Sequence, residues 1–468
     1  VLAHDQTDDV VIYVSSTSSG TVDGIEFKDE DILAYNSETD TWTMHFDGSD
    51  VGMNGHDINA FHIVDDGDDA TLDPVLFSLK NGRSYGSFFA DDSDIVEFVP
   101  SSLGTNTAGT FSLYFDGSDV GLRSNSEEID AIASLPGGGL IISTSGSHRV
   151  PGVNGADEDL LLFTATNLGA NTAGTFSLYF DGSDVGLTRS DEDVWGTWVD
   201  WDTGDIYLTA KDEFSVPGLS GDQEDIFVFA PASLGSNTAG TFADFWDGDT
   251  HRFAGERLDG FSIEFLNAPP VAQDDDFTML EDGVLNGNVL ADNGHGVDSD
   301  PDGDPLTVNS TPVSGPSNGI LILQANGDFT YTPSADFFGT DTFEYEIDDG
   351  NGETDIGLVT IVVAAVNDAP SFTAGADESV LEDAGAQSVL SWATAISVGP
   401  ATESGQTASF AVTNDNNGLF SAQPAIDAAG TLTYTPAADA NGVATVDVTL
   451  MDDGGTANGG VDTSPTQQ

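Results

Sequence analysis

The apolar residues of the first 268 positions fall in short β-branched and aromatic runs bounded by Gly, Asp, Asn and Pro. Such runs predict strands, and no stretch shows a 3.6-residue period that would predict a helix. The runs recur in a fixed order, lettered a to d. Position a is read at residues 58–63, 129–135, 194–201 and 261–266, and position b at 75–79, 140–144 and 206–210. Position c is read at 95–99, 160–164 and 226–230, and position d at 110–115, 175–180 and 241–246. The N-terminus supplies the missing pieces, with b at 10–14, c at 32–35 and d at 41–46. Each type therefore occurs four times, with one set split between the two ends of the segment.

A loop motif, FDGSDVG, marks the repeat. Copies begin at Phe46, Phe115 and Phe180, and a degenerate copy begins at Trp246, at steps of 69, 65 and 66 residues. Strand-rich units at that period predict an array. Pairing of 261–266 with 10–14 would close the array into a four-bladed β-propeller over residues 1–268, which removes two sheet edges. An open array and a sandwich of repeated hairpins are the alternatives. In the ring, d–a and b–c connections emerge on one face. The neutral LGxNTAGT connections, such as residues 103–110, are expected on the other.

After Pro270 the pattern changes. Residues 267–366 contain NAPPVAQDDDF, LEDG, DSDPDGDPL, NGDFTYTP, FFGTDTFEYEIDDGNG and LVTIVVAAV. Residues 367–468 repeat the scheme with VNDAP, LEDA, TLTYTPAADANG and DDGG, and the two LED anchors lie 101 residues apart. These motifs resemble the tandem cadherin-like, immunoglobulin-like modules of large bacterial calcium-dependent surface adhesins. The fold class expected is all-β: the propeller followed by two immunoglobulin/cadherin-like β-sandwich modules at 269–366 and 367–468. The second module lacks a counterpart of the closing run 355–366. A fragment of a longer protein, or a strand supplied by a neighbouring molecule, would account for that.

Charge sharpens the picture. Lys plus Arg total 9 and Asp plus Glu total 81, a formal charge of −72. Such a surface repels nucleic acid and anionic membrane. Self-repulsion destabilises the compact state unless cations screen it or bind. A saline habitat and specific Ca²⁺ sites both answer this, and clustering of the acids favours sites. In the d–a loops the candidate ligands are Asp47, Asp50, Asp116, Asp119, Asp181 and Asp184. Further acids follow two of them, Glu127, Glu128 and Asp130, then Asp191, Glu192 and Asp193. In the b–c loops the candidates are Asp29, Asp31, Asp92, Asp94, Asp157, Asp159, Asp222 and Asp225. Carboxylates crowded on one face suit Ca²⁺, which accepts irregular six- to eight-fold oxygen shells. The Gly of Asp-Gly-Ser-Asp is expected to allow a tight turn around the ion. Solvated Asp-Gly turns are the plain alternative. The fourth copy carries Asp249-Thr250-His251-Arg252, which counts against a d–a site there.

The run Asp298-Ser299-Asp300-Pro301-Asp302-Gly303-Asp304 places a carboxylate at every second residue and Gly at the sixth place. Its twelfth place is Asn309 rather than Glu and its flanks are strands, so it reads as a β-type Ca²⁺ loop through Asp298, Asp300, Asp302 and Asp304 rather than an EF-hand. The adhesin resemblance implies further Ca²⁺ at the module loops and joints, at Asp274, Asp275, Asp276, Glu281, Asp282, Asp348, Asp349, Asn367 and Asp368.

There is no Cys, which excludes disulfides and thiolate metal sites. No apolar run reaches membrane-spanning length. The seven His, at 4, 45, 56, 62, 148, 251 and 295, form no metal-ligand spacing, and no nucleophile or phosphate-loop motif stands in context. An enzyme is not expected, since the carboxylates recur in every repeat while a catalytic pair breaks symmetry. Trp195, Trp198 and Trp201 crowd one a run and are expected to pack between blades, with carbohydrate stacking the alternative. The expectation is an extracellular or cell-surface Ca²⁺-binding adhesin or matrix segment. Its propeller would recognise a glycan or protein ligand from a Ca²⁺-stiffened stalk, without membrane insertion. A filament subunit joined by terminal strand donation and a Ca²⁺-dependent polysaccharide-active enzyme are the alternatives.

Overall fold

The b runs of the N-terminal part are mostly apolar on both faces, and in three dimensions both faces are covered. Every residue of Val75–Leu79, Gly139–Thr144 and Ile206–Ala210 is buried. A strand flanked by other sheets on each side needs this continuous pattern, whereas a strand with one wet face alternates. The computed structural model describes residues 9–64, 71–123, 127–136, 138–201 and 203–468, so His4 lies outside it. The chain is all-β and divides into two units, Val1–Asn267 and Ala268–Gln468.

Among the described residues of the first unit there are four four-stranded antiparallel sheets. From a to d, the first runs Leu258–Phe265, Val10–Ser16, Ile32–Asn36, Thr41–Phe46. The second is Ile58–Ile63, Val75–Leu79, Ile95–Ser102, Ala108–Phe115. The third is Ile129–Leu135, Gly139–Thr144, Leu160–Asn167, Ala173–Phe180. The fourth is Val194–Val199, Ile206–Ala210, Ile226–Ser233, Ala239–Trp246. The first sheet joins the two ends of the unit, with Val10 opposite Phe265 and Val14 opposite Phe261.

The four a strands adjoin one another in a cycle, fourth to first included. Their backbones approach closely: a Cβ on Gly260 would lie 3.0 Å from the Phe61 nitrogen. Polar side chains tie neighbours together. Asn59 Nδ2 and Ser78 Oγ donate to the Ile129 carbonyl at 2.8 and 2.6 Å. His62 Nε2 pairs with Ser134 Oγ at 2.9 Å, and burial pushes its pKa down to about 4, so it is a neutral packed residue.

The first residue of each FDGSDVG copy is core, not loop. Phe46, Phe115 and Phe180 are fully buried and meet Phe98, Phe163 and Phe229 of the next sheet edge-on at 5.1–5.2 Å. Trp246 makes the equivalent contact with Tyr35 of the first sheet at 6.3 Å. Each such side chain contributes about 1.5–3 kcal/mol by burial.

Two local expectations need correction. The neutral LGxNTAGT loops do not stand apart from the acidic motif. Asp47, Asp116 and Asp181 N–H donate to Thr107, Thr172 and Thr238 Oγ1 at 2.9 Å, each Thr lying in the c–d connection of the next sheet. Thr107 and Thr238 N–H return a bond to Asp50 and Asp184 Oδ2 at 3.0 Å. Strand twist across each sheet explains this, since it swings the outermost strand end toward its neighbour. In addition, two-stranded hairpins stand between b and c where the sequence reads as loop, such as Gly20–Val22 with Ile25–Phe27 and Phe214–Val216 with Leu219–Gly221. Their two-residue turns, Asp23-Gly24 and Pro217-Gly218, are readable hairpin signals.

In the second unit, one sheet of the first module orders Asp275–Leu280, Thr354–Ala364, Gly339–Asp348 and Thr307–Val308. Its first pair is parallel and the others antiparallel. The facing sheet is Leu285–Asn288, Asp328–Pro333, Gly319–Leu323. Phe329, Tyr331, Phe343, Tyr345 and Ile361 fill the space between them. The second module has its own core around Trp392, Tyr434, Val448 and Leu450. There Val446–Met451 pairs with Ser409–Asn414, and the final segment lies along it without forming a regular strand, through isolated bridges at Met451–Thr463 and Val448–Gln467 and hydrogen bonds between Leu450 and Ser464.

Candidate metal centres

The b–c and d–a loops do meet, but their commonest contact is not metal-like. Asp31 Oδ2 accepts from Lys28 N–H and Oδ1 from Gly48 N–H. Asp94 takes Asp91 and Gly117 N–H, Asp159 takes Ala156 and Gly182 N–H, and Asp225 takes Asp222 and Gly248 N–H, all at 2.9–3.3 Å. One carboxylate in each sheet thus fastens two turns through both of its oxygens. Burial pushes Asp31 and Asp225 up to about 6 and Asp94 up to about 7, and raises Asp159 as well. Burial there outweighs the backbone hydrogen bonds that favour the charged form.

The motif Gly is explained by close approach rather than turn geometry. Cβ atoms on Gly48, Gly117 and Gly182 would lie 2.2–2.3 Å from the carbonyls of Glu30, Ser93 and Glu158. None of these glycines has positive φ; Gly52, Gly121 and Gly186, at the end of each motif, do. Asp47, Asp116 and Asp181 Oδ1 accept from Ser49, Ser118 and Ser183 Oγ at 2.6–2.7 Å. Asp119 and Asp184 sit on single helical turns, Gly117–Val120 and Gly182–Val185. Asp29, Asp92 and Asp157 place backbone carbonyls on the N–H of Ile58, Ile129 and Val194, at the start of the next a strand. These bonds engage the carboxylates of Asp47, Asp50, Asp116, Asp181 and Asp184, while Asp29, Asp92 and Asp157 are tied through their backbone carbonyls.

The fourth copy, the one that departs from the motif, is where carboxylates gather. Ligand oxygens of Asp222, Glu224 and Asp249 lie within 4.8 Å of one another. Asp249 stands where the other copies have Ser, and Glu224 is buried with Oε2 lacking any partner.

In the first module, Asp300, Asp302 and Asp304 form a second such group. Asp302 and Asp304 N–H both donate to Asp300 Oδ1, at 2.8 and 3.2 Å, and Gly303 turns at φ +82°. Ala268 N–H holds Asp302 Oδ2 at 2.7 Å and Asn351 Nδ2 holds Asp304 Oδ2 at 2.6 Å. Asp300 Oδ2 is buried with no partner. Asp298 is not part of the group: Gln273 N–H and Tyr345 O–H take its two oxygens at 2.7 and 2.9 Å. Asp348 and Asp349 cap the following turn through backbone N–H groups. Asp274 accepts from Leu358 N–H, Asp275 from Asn293, and Asp276 pairs with His295. Burial pushes Asp275 up to about 7.

The third group lies at the joint of the two modules and combines Asp282, Asp336 and Asp368. Beside it Glu281 accepts from Val366 N–H at 2.6 Å. Asn367 instead bonds Asp452 and Gln406 of the second module. The second module repeats part of this geometry, with Asp439 N–H on Asp383 Oδ1 at 3.2 Å, as Asp336 N–H meets Asp282 at 3.4 Å. Asp336, Glu224 and Asp249 are not among the ligands that the sequence suggests. Asp336 and Asp439 could have been found, because both follow the matched TYTP segments in SADFFG and AADANG.

Three carboxylates with an unpartnered buried oxygen suit a hard cation that prefers oxygen ligands, and Ca²⁺ fits such irregular shells. Among the described residues no helix is long and apolar enough to cross a membrane.

Residues 267–362 match the Bacterial Ig domain family, which bears out the resemblance of the C-terminal modules. The chain is 32% identical over 113 residues to the calcium-binding lectin RapA2 of Rhizobium johnstonii, covering 21% of this chain and 48% of that protein. It is 31% identical over 139 residues to integrin beta-like protein A of Dictyostelium discoideum, covering 25% of this chain and 7% of that protein. The chain thus spans less than half the length of either relative. Among solved structures it is similar to human CDH23 EC21-23, at 14% identity and TM-score 0.28, covering 71% of this chain and 95% of that one.

Proposed function

We propose that the chain is a Ca²⁺-binding adhesion segment of an extracellular or cell-surface protein, without catalytic activity. Residues 1–268 are read as a closed four-bladed β-propeller that serves as the ligand-recognition head. The modules at 269–366 and 367–468 are read as a stalk that Ca²⁺ stiffens. The cyclic contacts of the a strands and the Phe46, Phe115, Phe180 and Trp246 plugs support the ring.

One observation carries the functional reading: Asp300, Asp302 and Asp304 gather around a buried, unpartnered oxygen inside a stretch that matches a bacterial Ig domain. In this reading the 300–304 loop, the 282/336/368 joint and the 222/224/249 group hold the ions. A glycan or protein on a cell or matrix surface is the ligand, and the calcium-binding lectin relative supports glycan. The test is a glycan array probed with the full chain in Ca²⁺ and again after chelation. Retention that needs Ca²⁺ is expected; equal retention in both arms overturns the reading.

A further inference from the structure

The facing sheet of the first module ends on an edge strand, Gly319–Leu323, that has a neighbour on one side only. Its pairs with Asp328–Pro333 run from Gly319 opposite Pro333 to Leu323 opposite Phe329 without a register shift. Among the described residues no strand lies along its other side. Side chains alternate across it. Leu323 is buried in the core and Leu321 packs partly against it. Ile320 and Ile322 point away and are 72% and 61% exposed.

An open row of backbone N–H and C=O groups is a template for another strand, and proteins blunt such edges with bulges, proline or charge. The outer strands of the second, third and fourth sheets shift register near both ends of their pairing. The corresponding edge of the second module, Phe420–Ile426, has two register shifts and carries Pro424. Gly319–Leu323 has no shift, no proline and no charge, and it presents two large aliphatic side chains instead.

Charge sets the partner. No residue between Asp304 and Asp328 is charged, in a chain whose formal charge is −72. On the strand alongside, Thr332 and Thr330 stand opposite Ile320 and Ile322. The nearest acids of that sheet are turned into bonds of their own. Asp328 accepts from Asn288 and Asn326 Nδ2 at 2.9 and 2.7 Å. Asp341, from the other sheet, is buried and accepts from Ser317 and Asn318 N–H and Tyr331 O–H at 2.8–2.9 Å. Two copies of so acidic a chain repel over most of their surfaces, because like charges set face to face are costly. Along a neutral strip they meet without that cost. The strand is also complementary to itself. Laid antiparallel about a two-fold axis through Leu321, it sets Ile320 of one copy opposite Ile322 of the other, and such cross-strand aliphatic pairs stabilise a sheet.

We propose that Gly319–Leu323 pairs with the same strand of a second copy of this chain, joining two three-stranded sheets into one continuous sheet. The contact is isologous and uses up both edges, so it closes at a dimer. It involves none of the cation groups and no part of residues 1–268, and so stands or falls apart from the function proposed above.

Sedimentation equilibrium of the full chain in CaCl₂ at fixed ionic strength reads the mass. A dimer whose fraction rises with protein concentration is expected. Ile320→Asp with Ile322→Asp sets acid against acid across the axis and should return the chain to monomer. Both side chains are exposed, so the melting temperature of dilute protein should stay that of the parent. The chain has no Cys, which permits a positional check. Residues directly opposite on paired strands lie within disulfide reach. An oxidised mixture of Ile320→Cys and Ile322→Cys chains should yield a linked dimer with one copy of each, and either variant alone should yield far less. A parent that stays monomeric throughout the concentration series overturns the proposal, even where it binds an extended peptide at this edge. A dimer that the Asp pair leaves intact overturns it too, as does a crosslink no stronger in the mixture than in the separate variants.

Discussion

The acids of the first unit's outer turns and those of the first module's loop look alike in sequence and differ in what their oxygens do. Asp31, Asp94, Asp159 and Asp225 have both oxygens engaged by backbone N–H groups. Asp300 has one oxygen engaged by its own loop and the other buried and free, with two more carboxylates beside it. A residue that recurs at the same place in every repeat is under the same folding demand in each, and here that demand is to fasten two turns. Among the turn and module-loop acids, grouped carboxylates that include a free buried oxygen appear where the repeat is broken. Asp249 replaces a Ser in one copy, and the Asp300 run occurs in one module and not in the other. Repetition, which in the bare sequence points toward metal, in the fold points toward structure.

The largest expected effect tests the free side of this contrast. An ion that binds only the native state at a hundred times its Kd adds about 2.7 kcal/mol. Chelation should therefore lower the melting temperature of the full chain by several degrees. Asp300→Asn with Asp304→Asn should remove part of the Ca²⁺ increment even when the metal is present. Differential scanning calorimetry in CaCl₂ and in NaCl of equal ionic strength is the check. Equal melting in the two salts would reduce the loop to diffuse screening.

The fastening side is tested by Asp94→Ala. It leaves the Asp91 and Gly117 N–H groups without an acceptor, at about 1–3 kcal/mol for each buried group. Urea unfolding should show that loss, and Ca²⁺ stoichiometry should stay that of the parent. A loss of one bound ion would place Asp94 with the ligands and break the comparison.

Much of the fold was legible. The strand runs at 58–63, 75–79, 206–210 and 41–46 coincide with observed strands, and each starts directly after a strand-breaking residue, Asp57, Pro74, Asp205 and Asp40. The c and d strands extend three and two residues beyond their apolar runs, as in Ile95–Ser102 and Ala108–Phe115. Their outer ends are solvent-exposed, and exposed positions carry no hydrophobic signal. The sites were legible only as a pool of acids. Which oxygens are free depends on backbone N–H groups that approach from other parts of the chain, as Gly48 does to Asp31 across 17 residues. A sequence does not display those donors. Glycine does leave a trace, since Gly48, Gly117, Gly182 and Gly248 stand where a Cβ would strike the neighbouring turn.

The smallest expected effect is a tilt with pH, and it sharpens the same contrast at Asp94. Burial pushes this carboxyl up to about 7, against an ordinary value of 3.8. Between those values the folded chain binds more protons than the unfolded chain, so stability falls as pH rises. The contribution is fully present below the unfolded pKa and is lost as pH passes through about 7. Asp94→Ala deletes it, so the substitution should cost more at pH 5 than at pH 8. A tenfold difference in proton affinity corresponds to about 1.4 kcal/mol, and partial solvent access shrinks the realised effect. Urea midpoints for parent and variant across pH 5 to 8, in chelator, give the measurement. A cost that instead grows toward pH 8 would mean that Asp94 works as a charge that attracts cations and not as a buried acceptor for two turns.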